Sequence, residues 1–381
     1  MLKQQKIFFD FLRFCIGSAK EIPDSLKEAD WKEQYAIAKK QALLGVLFYG
    51  IQRLPKELVP EQKLLMQWMV MAEMIRKQNI RLFQDSVKVC QNFKNEGFAN
   101  CILKGQGNAL LYPDPYMRTP GDIDIYLSGG RRKIMKYVDQ VCPNQVMRYH
   151  HVDFPVMKTA IEVHFTPSYM FCPIHNRKMQ KWFEEVMGEH CNHRFWLPDG
   201  YGEIYVPLVS FNVIYILSHL YRHIFTEGIG LRQLLDYYFV LVKWHTDLTN
   251  LTDSNKSLPQ MTQINTDLDA LRHELKYLGL WKFAQAVMFV MKEVFGLSED
   301  RMIAPMDEKE GRFLLDEIMR GGNFGQYDDR MGSKVGESKI HRYFRMNLRN
   351  LRFVKHYPKE ALSEPLFRTW FAIWKKIHGI R

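Results

Sequence analysis

Apolar positions recur with a helical period through the first hundred residues. After Pro60 the series Leu64, Trp68, Met71, Ile75, Leu82, Val89 and Phe93 keeps one face apolar until Gly97, which predicts one long helix from about residue 61 to 96. At Ala99 the period changes. ANCILKG, residues 99–105, reads as a short buried strand, QGNALLY as a helix ending at the turn-rich Pro113-Asp114-Pro115, and GDIDIYL, 121–127, as a second strand. RRKIMKYVDQV, 131–141, has the spacing of a basic amphipathic helix, and HHVDFPVM and TAIEVHF give two further strands. From Pro207 the helical period returns, broken by two polar stretches that predict surface loops, 246–262 and the glycine-rich 321–338. The expected class is α+β: a small mixed-sheet core at 99–206 between a helical region at 1–98 and a second at 207–381.

Composition narrows the class. With 46% hydrophobic and 25% charged residues over 381 positions, the chain has material for a sizeable globular core. The opening MLKQQKIFFDFLRFCIG is interrupted by Asp10 and Arg13 and is followed by no small-residue cleavage site, which argues against a signal peptide. The longest uncharged run, 204–221, contains Pro207, Ser210, Asn212, Ser218 and His219, so it reads as a buried helix and no transmembrane segment is expected. Six scattered cysteines without a CxxC pair suit reduced thiols in a cytoplasmic protein. The net charge is +11, and residues 331–381 hold 12 Lys/Arg against 3 Asp/Glu. That basic C-terminal region would attract phosphate, nucleic acid or anionic lipid, or would simply be a solvated helical surface.

The chemistry concentrates in RTPGDIDIYL, 118–127. Residues i and i+2 of a strand point to one side, so Asp122 and Asp124 face together while Ile123 and Ile125 face a core. Adjacent carboxylates resist joint ionisation, and a divalent cation relieves that cost; hard oxygen donors suit Mg²⁺ or Mn²⁺. In TAIEVHF, Glu162 and His164 share the polar face, and if this strand lies beside GDIDIYL, Glu162 joins the aspartates in a site for two metals. Gly121 lets a ligand approach closely. Upstream, LKGQGNALL turns from strand to helix, where free backbone N–H groups receive phosphate. Gly105 and Gly107 permit close approach, Gln106 sits in the turn and Lys104 adds charge. Arg118 is placed either to clamp a triphosphate or to pair with an aspartate. The plain alternatives are an edge strand with solvated carboxylates and an ordinary strand-to-helix turn.

The order LKG, then RTPGDIDI, then IEVHF resembles the uncharacterised bacterial nucleotidyltransferase family, within the superfamily related to DNA polymerase β. The likeness is best over 99–240. It implies that Asp122, Asp124 and Glu162 are metal-binding carboxylates and that Gly105 lies in the phosphate-binding turn. It implies a nucleoside triphosphate as substrate, bound between the core and the C-terminal helices, but leaves the acceptor open. The wider superfamily has Gly-Ser in that turn, whereas Gln106 follows Gly105 here. A second similar stretch, SHLYRHIF…GLRQLLDYY, puts His219 and His223 one helical turn apart, and likewise Arg232 and Asp236, as an ion pair or as part of the nucleotide cleft. The family's reaction would be Mg²⁺-dependent transfer of an NMP to an acceptor hydroxyl. A catalytically degenerate nucleotide sensor or RNA binder, and a phosphotransferase releasing NDP, are the competing readings.

Two further patterns stand outside that site. Cys172, His175, Cys191 and His193 have donors for a tetrahedral zinc, against a reading as buried thiols. HRYFRMNLRNLRFVKHY, 341–357, spaces Arg342, Arg345, Arg349 and Arg352 as a basic stripe opposite Tyr343, Phe344, Leu348 and Leu351, with Trp370 and Trp374 as packing anchors further on. This is a nucleic-acid or membrane-surface face, or, more commonly, an amphipathic helix packed on a core with its basic side outward.

Overall fold

A computed structural model of the chain describes residues 2–190, 193–254, 260–330 and 338–379. Its contacts group into two compact units, each assembled from three separated segments. One comprises Met1–Asn79, Ala109–Thr119 and Thr226–Gly332; the other comprises Ile80–Asn108, Pro120–Phe225 and Ser333–Arg381. The three consecutive regions read from the sequence follow secondary structure, whereas these units follow contacts. No helix among the described residues is long and apolar enough to cross a membrane.

The first unit is helical. Helix Lys3–Ile16 buries Phe8, Phe9, Phe11 and Leu12, and Trp68 is fully buried with its indole N–H donated to the Leu44 carbonyl at 2.9 Å. Burying a side chain of that size contributes roughly 1.5–3 kcal/mol. Helices Trp281–Phe295 and Glu308–Gly321 pack closely because Gly311 has no side chain: a Cβ there would lie 2.3 Å from Cβ of Phe289. The polar stretch 246–262 departs from expectation. Helix Leu231–Ser254 runs well into it and helix Gln260–Tyr277 begins near its end; residues 255–259 lie outside the described set. Leu241, Trp244, Leu248 and Leu251 carry the three- and four-residue spacing on through the polar composition, so periodicity outweighs polarity there. In the glycine-rich stretch, Asp328 is buried and holds Arg330 through Oδ1–Nε at 2.7 Å; residues 331–337 are outside the described set.

The second unit carries the sheet. The long helix Gln62–Asn95 matches the expected span, and residues 80–95 of it belong here. The strands are β1 (Asn100–Ile102), β2 (Ile123–Leu127), β3 (His151–Asp153) and β4 (Ile161–His164), in the order β1-β2-β4-β3. β2 and β4 are parallel, while β1 and β3 pair antiparallel with β2 and β4. Parallel neighbours need a crossover, and helix Gly130–Val141, with Ile134 and Val138 buried, lies between β2 and β4 in the chain. A separate hairpin joins β5 (His193–Trp196) to β6 (Glu203–Val206). Helix Val209–Thr226 is buried along almost its whole length, in keeping with the uncharged run that ends at Tyr221. The whole is an α+β fold with a small mixed sheet and flanking helices.

Candidate active site

β2 alternates as its sequence predicts. Ile123, Ile125 and Leu127 are buried, and Asp124 points to the other side. The parallel register sets Asp124 opposite Glu162, and the antiparallel register of the next pair sets Glu162 opposite Asp153. One row across three strands therefore carries three acidic residues. The adjacent row carries Tyr126, His164 and His151.

The electrostatics follow from that register. Asp124 is buried, which alone would raise its pKa, but Lys104 Nζ at 3.1 Å and His164 Nε2 at 2.9 Å from Oδ1 hold it well below the usual carboxylate range. Asp122 is pushed up to about 6, first by the charge of Asp124, then by burial and by Glu162. His164 Nε2 also lies 3.6 Å from Glu162 Oε2. Burial opposes a charged imidazole there, yet its hydrogen bonds to Asp124 and Glu162 outweigh burial and raise its pKa. His151 Nδ1 is 3.2 Å from Glu162 Oε2 and 3.3 Å from His150 Nε2, and burial and the charge of His164 lower its pKa to about 3. His150 is also held well below the usual imidazole range, by burial and by Arg222.

These donors suit a hard divalent cation. One oxygen or nitrogen each from Asp124, Glu162 and His164 lies within 4.8 Å of the others, as do donors from His151, Asp153 and Glu162, so Glu162 is common to two overlapping donor sets. The like charge that forces Asp122 up is the strain that a cation would relieve. His164 Nδ1 is buried with no hydrogen-bond partner, so that ring is oriented wholly through its Nε2 side.

The upstream turn differs from expectation in one respect. Gly105 has φ +54° and lies against the Asp122 carbonyl, 3.5 Å from where its Cβ would sit, so a left-handed residue is required beside the carboxylates. The helix that follows, Gln106–Ala109, is a single turn, too short to gather the aligned N–H groups expected of it. Gly107 is explained by packing, since a Cβ would meet Val206 Cγ1 at 2.9 Å. Gln106 is buried. Lys104, besides Asp124, meets His219 Nε2 at 3.2 Å; the His219 and His223 rings are tilted by 60° with centroids 4.3 Å apart, and burial together with Lys104 drives the His219 pKa well down.

Arg118, Arg232 and Asp236 belong to the first unit. There Arg118 grips Asp236 with two bonds, Nε–Oδ1 at 2.7 Å and Nη2–Oδ2 at 2.8 Å, and Tyr112 donates its hydroxyl to Oδ1 at 2.7 Å. The fork expected for a triphosphate or for the strand aspartates thus holds a different carboxylate. Arg232 Nη1 donates to the Thr119 carbonyl at 3.2 Å and its charge also lowers the Asp236 pKa.

Of the zinc candidates, Cys172 and His175 gather with Glu360, donors within 4.8 Å of each other. His193 is exposed on β5, and Cys191 lies outside the described residues. His151 and Asp153 went unread in the sequence, although HHVDF places them at i and i+2, the same spacing that singled out Asp122 and Asp124.

A family model described as uncharacterised nucleotidyltransferase matches residues 27–296. The chain belongs to that nucleotidyltransferase family. No curated protein matches it. Among solved structures, a crystal structure of an antigenic nucleotidyltransferase-like protein from Paracoccidioides brasiliensis is similar at 13% identity, covering 52% of this chain and 92% of that one, with a TM-score of 0.30. At that score the likeness decides nothing further about this family member.

Proposed function

We propose that this nucleotidyltransferase family member transfers an NMP from a nucleoside triphosphate to an acceptor hydroxyl with release of pyrophosphate, using Mg²⁺ or Mn²⁺ held by Asp122, Asp124 and Glu162. The reading rests on one observation: Asp124 and Glu162 occupy paired positions on parallel strands, with Asp122 two residues upstream of Asp124. When bound, the cation would supply charge neutralisation for the phosphates and activate the attacking oxygen. The protein's own residues prepare that site. His164 holds Asp124 and Glu162 in fixed orientation through Nε2. Lys104 keeps Asp124 ionised and places a cation beside the Gly105 turn. Glu162, the more exposed of this pair of carboxylates, is placed to receive the acceptor's proton.

A labelled-NTP panel with Mg²⁺ or Mn²⁺ and cell extract tests this, with mass measurement of whatever gains an NMP. Pyrophosphate release that disappears in Asp124→Asn supports transfer; release of NDP instead would reassign the protein to phosphoryl transfer. The one-turn helix after Gly105 supports a second reading, binding without turnover. Calorimetry showing NTP binding with no pyrophosphate across the panel would favour that sensor.

A further inference from the structure

The last two described helices, Lys339–Val354 and Pro358–Ile377, are amphipathic in the reverse sense to the one expected. Arg349, Asn350 and Phe353 are buried, while Phe344, Leu348 and Leu351 face outward. On the second helix Leu362, Leu366, Trp370, Ile373 and Ile377 form a matching outward stripe. These eight side chains are 50–75% exposed. Spacings of four, four, three and four residues keep the second stripe in line over about 22 Å of helix.

The two stripes face the same way. Tyr343 Oη meets Thr369 Oγ1 at 3.3 Å, Arg368 Nη2 donates to Asn347 Oδ1 at 3.0 Å, and Asn350 Nδ2 donates to Glu364 Oε2 at 3.3 Å. Those contacts set the helices antiparallel and fix the seam between them. At about 100° per residue, the first stripe lies a little over a quarter of a turn clockwise from its seam and the second about two fifths of a turn, each viewed from its own N-terminus. In an antiparallel pair, rotations of the same sense bring both stripes to one side.

The exposed charge on these two helices has one sign. Between residues 339 and 378 the only acidic residues are Glu360 and Glu364, and both are buried. Glu360 accepts the backbone N–H groups of Phe171 and Cys172 and pairs with His175; Glu364 accepts from Asn350 and Arg368. Lys355, Lys359 and Lys376 are exposed. Beside the stripe a groove of about 500 Å³, lined by Tyr149, Phe171, Phe367, Leu366 and Trp370, continues the apolar surface.

We propose that this helix pair is a docking face for an anionic lipid bilayer, lying in the headgroup plane with the stripes immersed and the lysines at the phosphates. An apolar band on helices whose exposed charges are all cationic complements such a surface. A second copy of the same face would meet like charge, and RNA phosphates would leave Leu362, Leu366, Ile373 and Ile377 unsatisfied.

Flotation of the full chain with phosphatidylcholine vesicles, with and without phosphatidylglycerol, tests the proposal. Binding should require the anionic lipid, weaken with salt, and fall at least about tenfold in Leu366→Glu/Ile373→Glu and in Lys355→Glu/Lys359→Glu, with melting temperatures unchanged. For the unsubstituted surface, brominated lipid should quench a component of tryptophan emission that Trp370→Phe removes. No flotation at low salt, flotation indifferent to the Leu366/Ile373 change, or RNA binding or self-association through this face without flotation would each overturn it.

Discussion

Asp124 and Glu162 stand opposite one another on β2 and β4, and the imidazole of His164 spans them at 2.9 and 3.6 Å. A strand pairing one residue out of register would turn Glu162 toward the core and dissolve the site. The arrangement therefore depends on the sheet as much as on the residues.

Asp124→Asn should abolish NMP transfer, by on the order of a hundredfold or more. Manganese binding followed by electron paramagnetic resonance should weaken in parallel. Circular dichroism should show the fold retained, since Ile123 and Ile125 still anchor the strand.

His164→Ala tests the orienting role. Loss of a group that positions metal ligands typically costs ~10–100-fold in metal affinity. Isothermal titration with Mn²⁺ should show a loss of that size for this variant and little change for His219→Ala, whose Nε2 meets Lys104 rather than a carboxylate.

Gly121 separates stability from function. A Cβ there meets nothing within 4 Å, so Gly121→Ala should leave unfolding within about 0.5 kcal/mol of the parent. If NTP passes close to this backbone, KM for NTP should rise while the melting temperature does not move.

Asp236 makes the first unit sensitive to acid. Burial would raise its pKa, but Arg118 holds it below the unfolded value near ~3.9. Its contribution is fully present above that unfolded value and is lost as pH falls through the folded one. Urea midpoints should decline across that acid range, and the part due to this pair should vanish in Arg118→Met. Breaking a buried pair of this kind costs about 3–5 kcal/mol at neutral pH.

Much of this was legible in the residues because it follows short periods. The helix expected over 61–96 spans Gln62–Asn95, and the alternation in GDIDIYL placed the aspartates opposite the isoleucines. The neighbouring of β2 and β4 rests on long-range pairing, so the sequence supplied it only as a condition. Arg118 illustrates the limit: proximity in sequence suggested the strand aspartates or a triphosphate, but its partner Asp236 lies 118 positions away. The polar run 246–262 was misread because composition was weighed over spacing. Helix Lys339–Val354 was expected with its basic side outward and lies the other way, since amphipathic spacing shows that two faces differ but not which one meets the interior.

The threading of the chain has a consequence for biosynthesis. Each compact unit draws on three separated segments, and the sheet-bearing one takes its last from Ser333–Arg381. During translation the carboxylate strands therefore emerge well before the helices that complete their unit. A nascent chain paused between residues 164 and 333 holds the carboxylate strands without their finished scaffold, and dividing the gene at residue 98 or 206 would leave neither half with a complete unit.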